Sequence, residues 1–104
     1  MIIVNTPIVP NKEISEVHGI ARGSTVRARN VGRDIFAGLK NIIGGEISEY
    51  TKLQADSRDQ ALQRLEQDAS RLGANAVVNL RFTTTMVMQV CSEMLAYGTA
   101  VTVK

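Results

Sequence analysis

Apolar residues recur every three or four positions in the middle of the chain, and this spacing predicts a helix that ends near residue 72. Its last turns carry Leu62, Leu65, Ala69 and Leu72. These four residues fall on one face of a helix, and the charged residues between them fall on the opposite, hydrated face. Gly73 follows at the position where a left-handed C-cap favours glycine. The spacing allows this helix to begin anywhere from Glu46 to Asp56.

The pattern changes to alternation directly after Gly73, which predicts a strand. One face of that strand would carry Ala76, Val78, Leu80 and Phe82, and this face is predicted to be the core. The other face would carry Val77, Asn79, Arg81 and Thr83. The polar run that follows either extends the strand or forms a hairpin arm through residue 90.

Three further segments have the composition of strands. Ile2 to Val4 is short and ends at a proline-containing turn, so it is expected to be an edge element. Residues 14–29 are rich in β-branched side chains, and we expect strands at Ile14 to Ala21 and Thr25 to Arg29 with a bend or bulge at Gly23. Met94 to Val103 alternates and is predicted to be the last strand.

A second amphipathic pattern lies between these strands and the central helix. Asn30 can cap a helix that Gly44 and Gly45 would close. Its apolar stripe would be formed by Val31, Ile35, Phe36, Leu39, Ile42 and Ile43. The sequence therefore predicts two helices against an antiparallel sheet.

Composition is typical of one soluble domain spanning residues 1–104. The chain has 44% hydrophobic and 21% charged residues, with four aromatic side chains and no tryptophan. A chain of this length buries only about two-thirds of its unfolded surface, so we expect it to gain stability from self-association. A single cysteine excludes an intrachain disulfide, and the sequence has no recognisable signal peptide or membrane span. A cytoplasmic location without membrane contact is expected.

Several segments together carry a family resemblance. Gly44-Gly45-Glu46 precedes the long helix, Leu72-Gly73-Ala74-Asn75 follows it, Ala96-Tyr97-Gly98-Thr99 lies near the end, and Arg33-Asp34-Ile35-Phe36 lies in the first predicted helix. In this order they resemble the YbjQ-like family, small bacterial proteins often labelled "putative heavy-metal-binding". The resemblance covers the full chain. It implies a two-layer, dodecin-like α+β subunit that assembles with copies of itself as a homopentameric ring, and it implies no established reaction.

The softest metal donors of the chain lie between residues 86 and 94. Cys91 and Met88 offer a thiol and a thioether, which suit soft ions such as Cu(I). One cysteine is too few for a site, but a ring would bring several copies together if this segment faced its axis. His18 is the only imidazole and is a further candidate ligand. The alternative is that methionine and cysteine fill an irregular strand face and that His18 is a surface or interface residue.

Four arginines form a second candidate site. Arg22, Arg27, Arg29 and Arg33 cluster before and at the start of the first predicted helix. They could bind a phosphate or a nucleic-acid backbone. The competing interpretation is a solvated strand edge or charge pairing across an oligomer contact. A net charge of +2 and the absence of nearby stacking aromatics make nucleic acid an unfavoured partner.

No catalytic set can be named from the sequence. The glycines match neither a P-loop nor a dinucleotide fingerprint, and no third residue orients a cysteine and histidine pair. The leading prediction is a non-enzymatic, self-associating binding protein with a soft metal ion as its ligand. Anion binding through the arginines is the main alternative, and a small hydrolase-like enzyme is a further one.

Overall fold

One helix packs on a four-stranded mixed sheet in the computed structural model, which describes residues 1–28, 42–43, 46–88 and 91–104. The elements are β1 (Ile2–Ile3), β2 (Ile14–Ala28), β3 (Ile42–Ile43), β4 (Glu46–Ile47), α1 (Ser48–Arg71), β5 (Ala76–Met88) and β6 (Cys91–Val103). The main sheet has the strand order β1-β5-β6-β2, and β3 pairs with β4 in a separate ribbon. No helix in these ranges is both long and apolar enough to cross a membrane.

The predicted α+β class is confirmed, but the prediction of an antiparallel sheet is wrong. β5 and β6 form an antiparallel hairpin, β2 pairs antiparallel with β6, and β1 lies parallel to β5. The parallel pair arises because the N-terminal segment runs beside β5 in the same direction, with the Val4 amide donating to the Val77 carbonyl oxygen at 2.9 Å. The position of β1 at the sheet edge matches its expectation.

The first predicted helix falls largely outside the described residues. Two residues of its apolar stripe, Ile42 and Ile43, are described, and they form strand β3 rather than helix. They pair with Ile47 and Glu46 of β4 immediately before α1 begins. The assignment of these two residues to a helix was therefore wrong, because antiparallel pairing with β4 fixes them in an extended conformation.

Helix α1 runs without a break for 24 residues, or about 36 Å. Of its apolar face, Leu65 and Ala69 are fully buried, while Leu62 and Leu72 are half-buried. The helix ends as predicted: Gly73 has φ of 89°, and its amide donates to the Ser70 carbonyl at 3.0 Å. The Ala74 amide donates to the Ala69 carbonyl, also at 3.0 Å. These two bonds form a Schellman C-cap.

Both faces of β5 are buried at its start, so the prediction of a single core face is wrong. Val77 is fully buried against the helix, while Ala76 and Val78 are buried on the opposite face. That second face is covered by the N-terminal segment, where Val9 is buried. The register shifts between Val78 and Arg81. This β-bulge places an extra residue in the strand and resets its alternation.

Strand β2 approaches the helix closely through small residues. A Cβ atom built on Gly23 would lie 2.2 Å from the Leu65 backbone nitrogen and 2.3 Å from the Ala61 carbonyl oxygen. The predicted bend at Gly23 is wrong, because β2 pairs without interruption from Gly19 to Ala28. The register shifts lie earlier, and the second of them ends at Gly19, which has φ of 112°.

Candidate functional site

Met88 and Cys91 meet at one end of the molecule, at the tip of the β5–β6 hairpin. Met88 is the last residue of β5, Cys91 is the first residue of β6, and their Cα positions are paired in the sheet. Cys91 also pairs with Ala28 at the end of β2. The two soft donors predicted from the sequence are thus neighbours across a strand pair. Each subunit presents them together at the end of its longest strands.

His18 lies at the other end of β6. It falls in the register shift of β2 between Val17, which pairs with Val101, and Gly19, which pairs with Ala100. Those partners are nine or more residues along β6 from Cys91, which corresponds to about 30 Å. Within one chain, His18 therefore does not join Met88 and Cys91.

The surroundings of His18 are polar and local. Its Nε2 atom lies 2.6 Å from the Thr102 hydroxyl and 3.9 Å from a Glu16 carboxylate oxygen. The side chain is only 14% exposed, and Glu16 is largely in solvent. This arrangement offers at most one imidazole and one carboxylate, fewer than the three or four protein donors that a zinc site uses.

A complete metal site is absent from the described part of one subunit. No group of three or more histidine, cysteine, aspartate and glutamate residues converges there. A heavy-metal ion would therefore be held incompletely by the described ranges of a single chain. Further donors would have to come from other copies of the hairpin tip.

The predicted arginine cluster is not assembled in the described ranges. Arg22 is exposed on β2, Arg27 pairs with Ser92 near the hairpin end of the same strand, and Arg29 and Arg33 lie outside the described residues. Near Arg22 the strongest local feature is a carboxylate, Asp68 of the helix. The geometry gives no support to an anion site built by these four arginines.

Asp68 joins the helix to strand β2. The Arg22 backbone amide donates to one carboxylate oxygen at 3.0 Å, and Arg71 donates from Nε and Nη2 to the other at 3.1 and 2.8 Å. The Arg22 amide first, and Arg71 second, lower the pKa of Asp68 below its ordinary value. A nearby contact has the same role, because Arg64 Nη1 donates to the Ser24 carbonyl at 2.6 Å. These groups fasten the helix to the sheet.

The sequence analysis missed an apolar row on the face of β2 that points away from the helix. It consists of Ile14, Val17, Ile20 and Val26. Their β6 partners are Val103, Val101, Thr99 and Glu93, which all share one face. The side chains of Val17, Ile20 and Val26 are 64%, 62% and 57% exposed. Simple alternation could not reveal this row, because two register shifts bring residues spaced by three onto the same face.

Comparisons with known proteins place the chain in a family. A family model described as "Putative heavy-metal-binding", YbjQ_1, matches residues 1–104. A UPF0145 protein of Archaeoglobus fulgidus is 55% identical over 97% of this chain and 94% of its own length. A UPF0145 protein of Hahella chejuensis is 52% identical over 97% of both chains. The chain belongs to this YbjQ-like, UPF0145 family, as the resemblance indicated. The family is not confined to bacteria, because its members include archaeal proteins.

A solved structure supports the fold. A crystal structure of a protein of unknown function from Pediococcus pentosaceus, assigned to the DUF74 family, superposes with a TM-score of 0.66. The alignment covers 100% of this chain and 98% of that chain, at 17% sequence identity. This similarity concerns the fold alone.

Proposed function

We propose that this chain is the non-enzymatic subunit of a closed cytoplasmic homo-oligomer that binds a soft metal ion where copies of the Met88 and Cys91 hairpin tip meet. The observation that carries the proposal is the Cα pairing of these two residues at the end of the β5–β6 hairpin. The family description supplies the ligand class. The resemblance implies five subunits.

Self-association is supported by the exposed apolar surface and by the shape of the subunit. The Cα radius of gyration is 16.8 Å, whereas a compact chain of this length has about 13 Å. Large apolar side chains are exposed on both faces of the sheet, including Ile20 at 62% and Met86 at 69%. A subunit with this shape leaves apolar surface that other copies can cover.

Symmetry supplies what one subunit lacks. Each copy contributes a thiol and a thioether at neighbouring backbone positions, and two or more copies would provide four soft donors. Sulfur ligands of this kind favour Cu(I), and thiolates also bind Zn²⁺. A reducing cytoplasm keeps a lone cysteine available as a thiol.

Metal binding can be tested by native mass spectrometry of the tag-free protein after loading with Cu(I) or Zn²⁺ and removal of excess ion. We expect ions retained by the oligomer, loss of retention in Cys91→Ser, and weaker Cu(I) retention in Met88→Leu. His18→Gln is the matched control and should retain ions like the unmodified chain, since His18 lies at the far end of β6. Equal retention by Cys91→Ser, or none by the unmodified oligomer, would contradict the proposed ligand.

A further inference from the structure

The main sheet has two free strand edges, on opposite sides and of different strands. β2 forms one edge, and no described segment pairs with its outer side by backbone hydrogen bonds. β5 forms the other edge past Arg81, because the N-terminal segment accompanies it only as far as Leu80, whose amide donates to the Val4 carbonyl at 3.0 Å. Residues 82–88 of β5 therefore have no described backbone partner on their outer side.

Apolar side chains accompany both free edges. Val26 of β2 is 57% exposed, and Phe82 and Met86 of β5 are 39% and 69% exposed. The two edges are also level with each other along the strand direction. Val26 and Thr85 both pair with Glu93 of the intervening strand β6.

We infer that the outer edge of β2 in one subunit pairs with residues 82–88 of β5 in the next, so that copies join head to tail into a ring with a continuous sheet. The inference rests on the proposed homo-oligomer and specifies its contact. A free strand edge is a template for another strand, and each copy carries two such edges that differ. Contacts between different patches generate rings or filaments rather than two-fold dimers.

The strand directions determine how the two edges meet. β5 and β2 are each antiparallel to β6, so they run in the same direction. Rotation about an axis along the strands preserves that direction. Each subunit contact is therefore a parallel β2–β5 pair.

The size of the contact favours a ring over an isolated pair of subunits. Seven residues of β5 span about 23 Å at 3.3 Å per residue, and a sheet with its side chains is about 10 Å thick. One edge contact then buries on the order of 230 Å² on each copy, well below the roughly 800 Å² of a standard interface. Closure of a ring gives every subunit two contacts and removes the free edges, which a dimer of this kind would not achieve.

Cross-linking distinguishes this contact from other arrangements. Two tagged forms of the full chain, both carrying Cys91→Ser, are co-expressed, one with Val26→Cys and the other with Thr85→Cys. Both positions are exposed and lie on the same face. We expect a short dimaleimide to give a two-subunit product that carries both tags, while either form expressed alone gives at least tenfold less. Ser70→Cys, exposed on α1, replaces Val26→Cys as the control and should give no such product.

Each outcome separates the inference from the proposed function. A cross-link between two Val26→Cys subunits would indicate a two-fold contact and overturn the head-to-tail arrangement. An oligomer in the native mass spectrum without the mixed cross-link would overturn the β2–β5 contact and leave the oligomer standing, whereas subunits that remain single would overturn both. Hydrogen exchange on the unmodified chain is a second readout. Amides of residues 82–88 should exchange at least tenfold more slowly in the oligomer than in the dissociated subunit, and equal rates would contradict the contact.

Discussion

The two faces of strand β2 reverse the usual relation between side-chain size and burial. The face toward the helix carries small residues that are buried, such as Ala21 and Gly23, whereas the other face carries Val17 and Ile20, which are more than 60% exposed. The small residues permit the backbone of α1 to approach the sheet closely. The large exposed residues indicate surface that is buried in an assembly. The covered face therefore determines the stability of the subunit, and the open face determines how copies associate.

The largest effect is expected from truncating the main side chain of the covered face. Leu65 is fully buried between helix and sheet, so Leu65→Ala should lower the free energy of unfolding by about 3 kcal/mol through lost burial and an unfilled cavity. Urea unfolding followed by circular dichroism measures this loss. It should be similar at every protein concentration, because the residue acts within one subunit.

Ile20→Ala on the open face is the matched comparison. It should change the stability of the dissociated subunit by no more than about 0.5 kcal/mol, because the side chain is already in water. In the oligomer it should raise the protein concentration at which subunits dissociate, as measured by analytical ultracentrifugation. If Ile20→Ala destabilised the dissociated subunit as much as Leu65→Ala, the contrast between the two faces would be wrong.

The second prediction concerns the close approach of helix and sheet. Gly23→Ala should lower the free energy of unfolding by about 2 kcal/mol, because the added Cβ would overlap backbone atoms of Ala61 and Leu65 that have little freedom to move. Gly19→Ala is the control. Nothing lies within 4 Å of a Cβ built there, but the φ of 112° disfavours any side chain, so its cost is backbone strain of about 1 kcal/mol. A larger loss from Gly19→Ala than from Gly23→Ala in the same urea assay would contradict the packing argument.

These contrasts explain which parts of the fold could be predicted from the sequence. The end of α1 was predictable because Gly73 and the apolar spacing before it act locally. The last strand was predictable because β6 alternates without a bulge, so Ala96 and Ala100 are buried on one face as its pattern indicates. The bulges of β2 and β5 were not predictable, because they depend on which residues the neighbouring strands pair with. A single extra residue then reversed the expected faces.

The candidate site shows the same limit. The sequence identified Met88 and Cys91 as soft donors, and the hairpin pairs their backbone positions. It could not reveal that His18 lies about 30 Å away along β6, since sequence separation alone does not determine distance in a folded sheet. It also missed the apolar row that includes Val17 and Ile20, because the register shifts that align this row are invisible to periodicity.

The smallest predicted effect concerns the hydrogen bonds that fasten the two layers. Asp68→Asn weakens the contacts to the Arg22 amide and Arg71, and should lower the free energy of unfolding by about 1 kcal/mol near neutral pH, a modest value because Arg71 is mostly exposed. The folded-state pKa of Asp68 is lowered, so its contribution is fully present above the unfolded value of about 3.9 and is lost as pH falls through the lower folded pKa. The stability difference between the unmodified chain and Asp68→Asn should therefore be constant from about pH 5 to 7 and shrink below about pH 4. Asp59→Asn, exposed on the same helix, is the control and should change stability little at any pH. A difference for Asp68→Asn that persists unchanged at pH 2 would mean that the carboxylate charge does not hold the helix to β2, and that packing alone joins the covered face.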